Sequence, residues 1–202
     1  MGVGHGHDAL VALLDGLTRS AVGVDPYIDS HGNDGEDFAR LMELRKHCGL
    51  ASAFHIERES IESFLVKNVE AFDHIICNDV LHHIFESEIL LSRSPLFPSA
   101  TSLFERLWDI AKPDAELLIS DVGRHGARPW LRRCGMMSGN VDYGTKQPWK
   151  ESNFAATHAG WQLEMVRNYI PFPLRNFGGP LTGAIGRFTL CERYILKYRR
   201  LV

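Results

Sequence analysis

Met1-Gly2-Val3-Gly4-His5-Gly6-His7-Asp8, answered by Asp25 at the end of Ala21-Val22-Gly23-Val24-Asp25, is the stretch on which the fold turns. Three glycines at alternate positions make a turn with almost no side-chain bulk. The turn feeds into an apolar run from Ala9 to Leu17. A backbone of this kind offers bare N–H groups to a ligand at a helix N-terminus, where the helix dipole is positive. An acidic residue about 20 positions downstream, at the tip of a second strand, is the usual partner of ribose hydroxyls in a nucleotide-binding βαβ unit. The strand expected to lead into the turn is missing, because the sequence opens inside the loop.

After the glycine turn, Asp8 to Leu17 has helical spacing (Ala9, Leu10, Leu13, Leu14, Leu17), with Gly16 placed to end it. Ala21 to Asp25 is a short buried strand stopped by Pro26. After a polar loop from Asp29 to Gly35, Asp34 is placed to cap a helix from Glu36 to Cys48, terminated by Gly49. Ala51 to Ile56 is a third strand, followed by the turn Glu59-Ser60-Ile61. Phe72 to Asn78 is a fourth, leading into Asp79-Val80-Leu81-His82-His83. Thr101 to Ala111 is an amphipathic helix that Lys112-Pro113 brings to a stop, and Glu116 to Ser120 is the next strand. Pro129 to Gly135 has the length of one short helix, and Trp149 to Ala159 is a helix closed by Gly160. Trp161 to Ile170 and Gly186 to Lys197 are two long strands that should pair antiparallel, since no helix crosses between them. The sum is one domain over residues 1–202, a doubly wound, mostly parallel α/β sheet with one antiparallel strand near its edge.

Composition narrows the function. The chain has 202 residues, 45% hydrophobic and 23% charged, and a net charge of −3, as an ordinary globular domain does. A mildly acidic balance argues against a nucleic-acid surface. The four cysteines (Cys48, Cys77, Cys134, Cys191) form no CxxC pair, and Cys77 and Cys191 lie in apolar runs, which favours buried thiols in a reducing cytoplasm. No apolar run nears ~20 residues, so no membrane span is expected. Ten histidines include no HxxxH, and no metal site is expected.

The glycine turn, Asp25, Phe72-Asp73-His74-Ile75-Ile76 with Leu81-His82-His83, Ala111 to Asp121 and Ala159-Gly160-Trp161 form an ordered set. Together they resemble the class I S-adenosylmethionine-dependent methyltransferases over nearly the whole chain. The resemblance implies strand order 3-2-1-4-5-7-6 with the first strand truncated, and S-adenosylmethionine as cofactor. Gly2, Gly4 and Gly6 would then approach its methionine and ribose portions, and Asp25 would accept from the ribose diol. Glu59, Ser60 and Ile61 would border the adenine, with either Glu59 or Ser60 meeting the exocyclic amine. Asn78 and Asp79 would face the methionine end. Each has a structural alternative: Asp25 can cap a turn, and Ser60 can cap the following helix.

For chemistry, a hydroxyl acceptor needs a base, and His82 or His83 lies at the mouth after the fourth strand. The alternative is that this pair opens a helix and packs. The segments 85–98, 124–149 and 171–181 are rich in aromatic, proline and leucine residues. They either bind a small or lipophilic acceptor, cover the sheet edge or form a homodimer contact. Two functions stand: an active methyltransferase acting on a small molecule, or a methyltransferase-like binding or regulatory protein without catalysis. A dehydrogenase fits less well, because Gly2-x-Gly4-x-Gly6 lacks the spacing GxGxxG: its third glycine would fall at position 7, which is His7.

Overall fold

The computed structural model describes residues 3–27, 34–67, 71–78, 80–81, 98–122, 131, 134–136, 149–168 and 193–201. The chain divides into two compact units, Met1–Val69 and Glu70–Val202. His82, His83, Gly2, Asp79, Cys191 and nearly all of the three irregular segments lie outside the described residues.

In the first unit, α1 (His7–Leu14) ends at Asp15, and Gly16 follows in the left-handed region. The helix stops three residues short of Leu17, because the Leu17 amide turns back to the Ala12 carbonyl. β1 (Ala21–Val24) pairs in parallel with β2 (Phe54–Glu57), Ala21 opposite Phe54 and Val24 opposite Glu57. A parallel pair needs a crossover, and α2 (Gly35–His47) supplies it. Asp34 caps α2 as its sequence position implies: its carboxylate accepts from the amides of Glu36 at 2.8 Å and Asp37 at 3.0 Å. Asp37 returns a bond to the Asp34 amide, completing a capping box. Leu10 and Leu13 of α1, Leu41 of α2, Phe54 of β2 and Tyr27 form the core. The strand expected over Ala51 to Ile56 begins only at Phe54, since residues 51–53 form a turn in which the Ala53 amide bonds the Leu50 carbonyl. α3 (Ile61–Lys67) closes the unit.

The second unit is a four-stranded sheet in the order β3-β4-β6-β5. β3 (Phe72–Asn78) and β4 (Ala111–Val122) are parallel, and β6 (Arg193–Arg200) runs antiparallel to β4 and to β5 (Trp161–Asn168). The α/β fold with one antiparallel strand is therefore as expected, and the described pairings are the 2–3 and 4-5-7-6 parts of the expected order. Several boundaries differ: β4 runs on to Val122 rather than stopping at Ser120, β6 runs to Arg200 rather than Lys197, and the helix before β4 is shifted towards the N-terminus. The helix α4 (Pro98–Asp109) ends before Ala111, which instead opens β4 opposite Phe72. Pro113 is accommodated inside that strand by a register shift and by Asp114 at φ 64°.

One face of this sheet is apolar and carries α4 and α5 (Trp149–His158). Trp161 is buried with its ring edge-on to Trp108, centroids 5.5 Å apart, and its indole N–H donates to the Phe104 carbonyl at 3.0 Å. The Arg200 guanidinium lies 4.7 Å above the Trp108 ring. Tyr198 is fully buried and donates to Asn153 at 3.2 Å. Strand alternation turns the other residues to the opposite face, where a ladder of charge crosses all four strands. His74 of β3 lies 3.6 Å from Glu116 of β4, Glu116 meets Lys197 at 2.5 Å and Arg199 at 3.1 Å on β6, and both cations reach Glu164 of β5.

Replacing Trp161 by Phe removes the indole donor and part of a buried ring, and should lower stability by about 1–3 kcal/mol in urea unfolding. The ladder predicts a pH effect. The hydrogen bond from Lys197 holds the Glu116 carboxyl below the usual carboxylate range. A lowered folded value adds stability that is complete above the unfolded glutamate value of about 4.3 and fades as pH falls through the lower folded one. Glu116→Gln should therefore flatten the acid limb of the stability profile, an effect that 0.5 M salt shrinks in the wild type because the ladder is solvated.

Candidate functional site

The glycine turn and the tip of β1 meet in the first unit. The Val3 amide donates to the Val24 carbonyl at 3.2 Å, which lays the turn along the end of the strand. From there the Gly4 amide reaches one oxygen of the Asp25 carboxylate at 3.0 Å, across 21 residues of sequence. The other oxygen accepts from the Tyr27 amide, also at 3.0 Å. The Tyr27 hydroxyl donates in turn to the Gly4 carbonyl at 2.7 Å. Gly4, Asp25 and Tyr27 thus form a closed circuit of three hydrogen bonds. Asp25 is 5% exposed, and its own amide bonds the Glu57 carbonyl at the tip of β2.

The amides of Gly4 and Gly6 are not bare. Gly4 gives its proton to Asp25, and Gly6 gives its proton to the Val3 carbonyl at 2.7 Å. The reason is geometric: the turn is too tight to leave these donors outward, and a buried carboxylate without donors would cost several kcal/mol. Gly6 has a further role. It stands at φ 71° as the N-cap of α1, and a Cβ there would sit 2.4 Å from Leu41 Cδ1 and 3.3 Å from Phe54 Cε1. The glycine lets the turn lie directly on the core.

Tyr27 is a member of this circuit that residue type and spacing do not single out. It lies two residues past the strand-tip acid, after Pro26, at φ 49°, and is 1% exposed. Its ring packs on Phe38 of α2, centroids 5.1 Å apart at 60°. Burial first, then the negative charges of Asp25 and Asp37, push its phenol far above the ordinary tyrosine value, so it stays a donor. A bulky side chain close after Asp25-Pro26 was the available signal; its left-handed backbone was not visible in sequence.

Ser60 accepts from the Ser63 amide at 3.3 Å, capping α3. Glu59 accepts from Ser63 and Lys67, each at 2.5 Å, and the Lys67 bond holds its carboxyl below the usual range. Ile61 is buried in the first turn of α3. Asn78 ends β3 in the second unit. Among the described residues no group of His, Cys, Asp and Glu could hold a metal ion, and no helix is long and apolar enough to cross a membrane. Cys77 is fully buried, and that burial raises its thiol to about 11, so it is an inert core residue.

As a chemical device the site is an acceptor-only carboxylate, set at a strand tip and fastened to a glycine turn. Its hydrogen-bonding groups are the Gly4 backbone, the Asp25 carboxylate and the Tyr27 amide and phenol.

No protein-family model matches the chain, and no curated protein does either. Solved structures do. An S-adenosylmethionine-dependent methyltransferase of Mesorhizobium loti matches at TM-score 0.62 and 15% identity, covering 98% of this chain and 88% of that one. An O-methyltransferase family protein of Burkholderia thailandensis matches at TM-score 0.62 and 14% identity, over 99% of this chain. This chain spans about half of its length, 49%. The cyclase SpnF matches at TM-score 0.59 and 13% identity, covering all of this chain and 73% of that one. The fold is the Rossmann-like α/β fold of the class I methyltransferases.

Substituting Gly6 by Ala should cost about 1–3 kcal/mol, because the methyl meets Leu41 in the core and the backbone is left-handed. A drop in the urea midpoint without a change of slope would register it.

Proposed function

We propose that this protein binds S-adenosylmethionine and transfers its methyl group to a small, lipophilic acceptor. The observation that carries the reading is the bond from the Gly4 amide to the Asp25 carboxylate, in a chain with the fold of methyltransferases. The chemistry of the residues fits the ligand. A carboxylate has acceptor positions for about four hydrogen bonds, and a ribose diol offers a pair of donors to them. When bound, the cofactor supplies a methyl group on a sulfonium that leaves readily.

The work left to the chain is then binding and alignment, since holding acceptor and methyl in line contributes most of what such a displacement needs. Asp25 fixes the ribose, and the turn of Gly2, Gly4 and Gly6 brings backbone close to the methionine and ribose portions. Glu59, Ser60 and Ile61 border the adenine, and Asn78 and Asp79 the methionine end. His82 or His83 takes the proton of a hydroxyl acceptor. Residues 1–202 act in this reading as one domain in a reducing cytoplasm, and the aromatic segments around Phe85, Trp130 and Phe172 receive the acceptor.

Calorimetry with S-adenosylhomocysteine tests the reading. The wild type should bind, and Asp25→Ala should bind at least about tenfold more weakly, the loss of one or two charge-assisted hydrogen bonds. Heat absent from the wild type would sink the cofactor. Binding untouched by Asp25→Ala would move the site elsewhere. Labelled S-adenosylmethionine with a cell extract should then yield a labelled small molecule; persistent absence of product from a protein that binds would favour a binding or regulatory role without catalysis.

A further inference from the structure

We propose that Tyr27 is a positioning residue of the cofactor site, presetting the glycine turn and Asp25 through its amide and its hydroxyl. The inference rests on the methyltransferase reading above and concerns the same site. Three facts combine. Tyr27 grips both partners of the site at once, donating its amide to Asp25 and its hydroxyl to the Gly4 carbonyl. Gly4 is therefore held at its N–H by Asp25 and at its C=O by Tyr27. The backbone of Tyr27 lies at φ 49°, a conformation that a bulky residue adopts only where its surroundings over-determine it.

The consequence for binding is entropic. Gly4, at φ 48°, is the kind of residue that samples many conformations when unconstrained. A turn that must be ordered when a ligand arrives loses affinity by that ordering. The Tyr27 hydroxyl removes the freedom beforehand, in a place where its own proton is retained and its ring is locked between the core and Phe38. Tyr27 does not need to touch the ligand for this. It acts through Gly4 and Asp25.

Tyr27→Phe isolates the hydroxyl, keeping the ring against Phe38 and the amide on Asp25. It is compared with Phe38→Leu, which weakens the same packing and leaves the circuit of hydrogen bonds in place. Titration with S-adenosylhomocysteine should show Tyr27→Phe binding about fivefold more weakly, the worth of one hydrogen bond. The Gly4 amide resonance should move in the same variant. Phe38→Leu should lose thermal stability, yet bind within about twofold of the wild type. If both variants bind in proportion to their loss of stability, Tyr27 is fold packing only and the inference is overturned. A wild type that binds, beside an equally tight Tyr27→Phe, overturns the positioning role alone. A wild type that takes up no S-adenosylhomocysteine overturns the cofactor reading, and the positioning role with it.

Discussion

The hydrogen bond from the Gly4 amide to Asp25 is the constraint on which the first unit turns. A carboxylate that is 5% exposed is tolerable only where donors meet it. Those donors are the amides of Gly4 and Tyr27, one to each oxygen. Meeting that demand draws the glycine turn onto the end of β1 and sets the entry direction of α1. It also brings Gly6 onto Leu41 and Phe54, at a distance no side chain could share. The core of Leu10, Leu13, Tyr27, Leu41 and Phe54 then closes around the arrangement. The hydrogen-bonding demand of the buried carboxylate and the packing of the core are thus satisfied by the same few atoms.

This double use explains what the sequence could and could not disclose. The glycines and Asp25 stand out by residue type and spacing, and the structure does bring Gly4 and Asp25 together. The amides of Gly4 and Gly6, expected to face a ligand, are instead occupied by the protein, the first by a carboxylate 21 residues away and the second by the Val3 carbonyl. Tyr27 is the sharper case. Its φ of 49° follows from its bonds to Asp25 and Gly4, and local propensity would have argued against it. Ser60 shows the reverse: the alternative of a helix cap, legible from its position before Ile61, is what its side chain does in the structure.

Boundaries followed the same rule. Local chemistry fixed the ends of α2, where Asp34 and Gly49 cap and terminate a helix without outside help. β3 was legible over its whole length, Phe72 to Asn78, because Phe72 and the apolar run Ile75-Ile76-Cys77 mark a strand between polar residues. The start of β4 was not. Pro113 looked like the terminator of a helix running to Ala111, but pairing with Phe72 takes Ala111 into the sheet and leaves Asp114 to absorb the irregularity at φ 64°. Proline marked a break correctly, and only the non-local pairing showed which element was being broken.

The placing of β6 between β4 and β5 has a consequence for how the second unit comes together in time. Glu116 of β4 pairs with Arg199, 83 residues later, whereas Ala21 pairs with Phe54 after a loop less than half as long. Closing the longer loop costs more chain entropy, and contacts so distant in sequence form slowly. On a ribosome, β4 would emerge with one edge open until residues 193–200 had been made. An open edge is where strands of different molecules join. Glu116 stands on that strand beside His74 of β3, and Lys197 and Arg199 reach it only once β6 has paired. The ladder that looks in the finished protein like ordinary surface pairing thus joins its acids to its cations only when the last strand is in place.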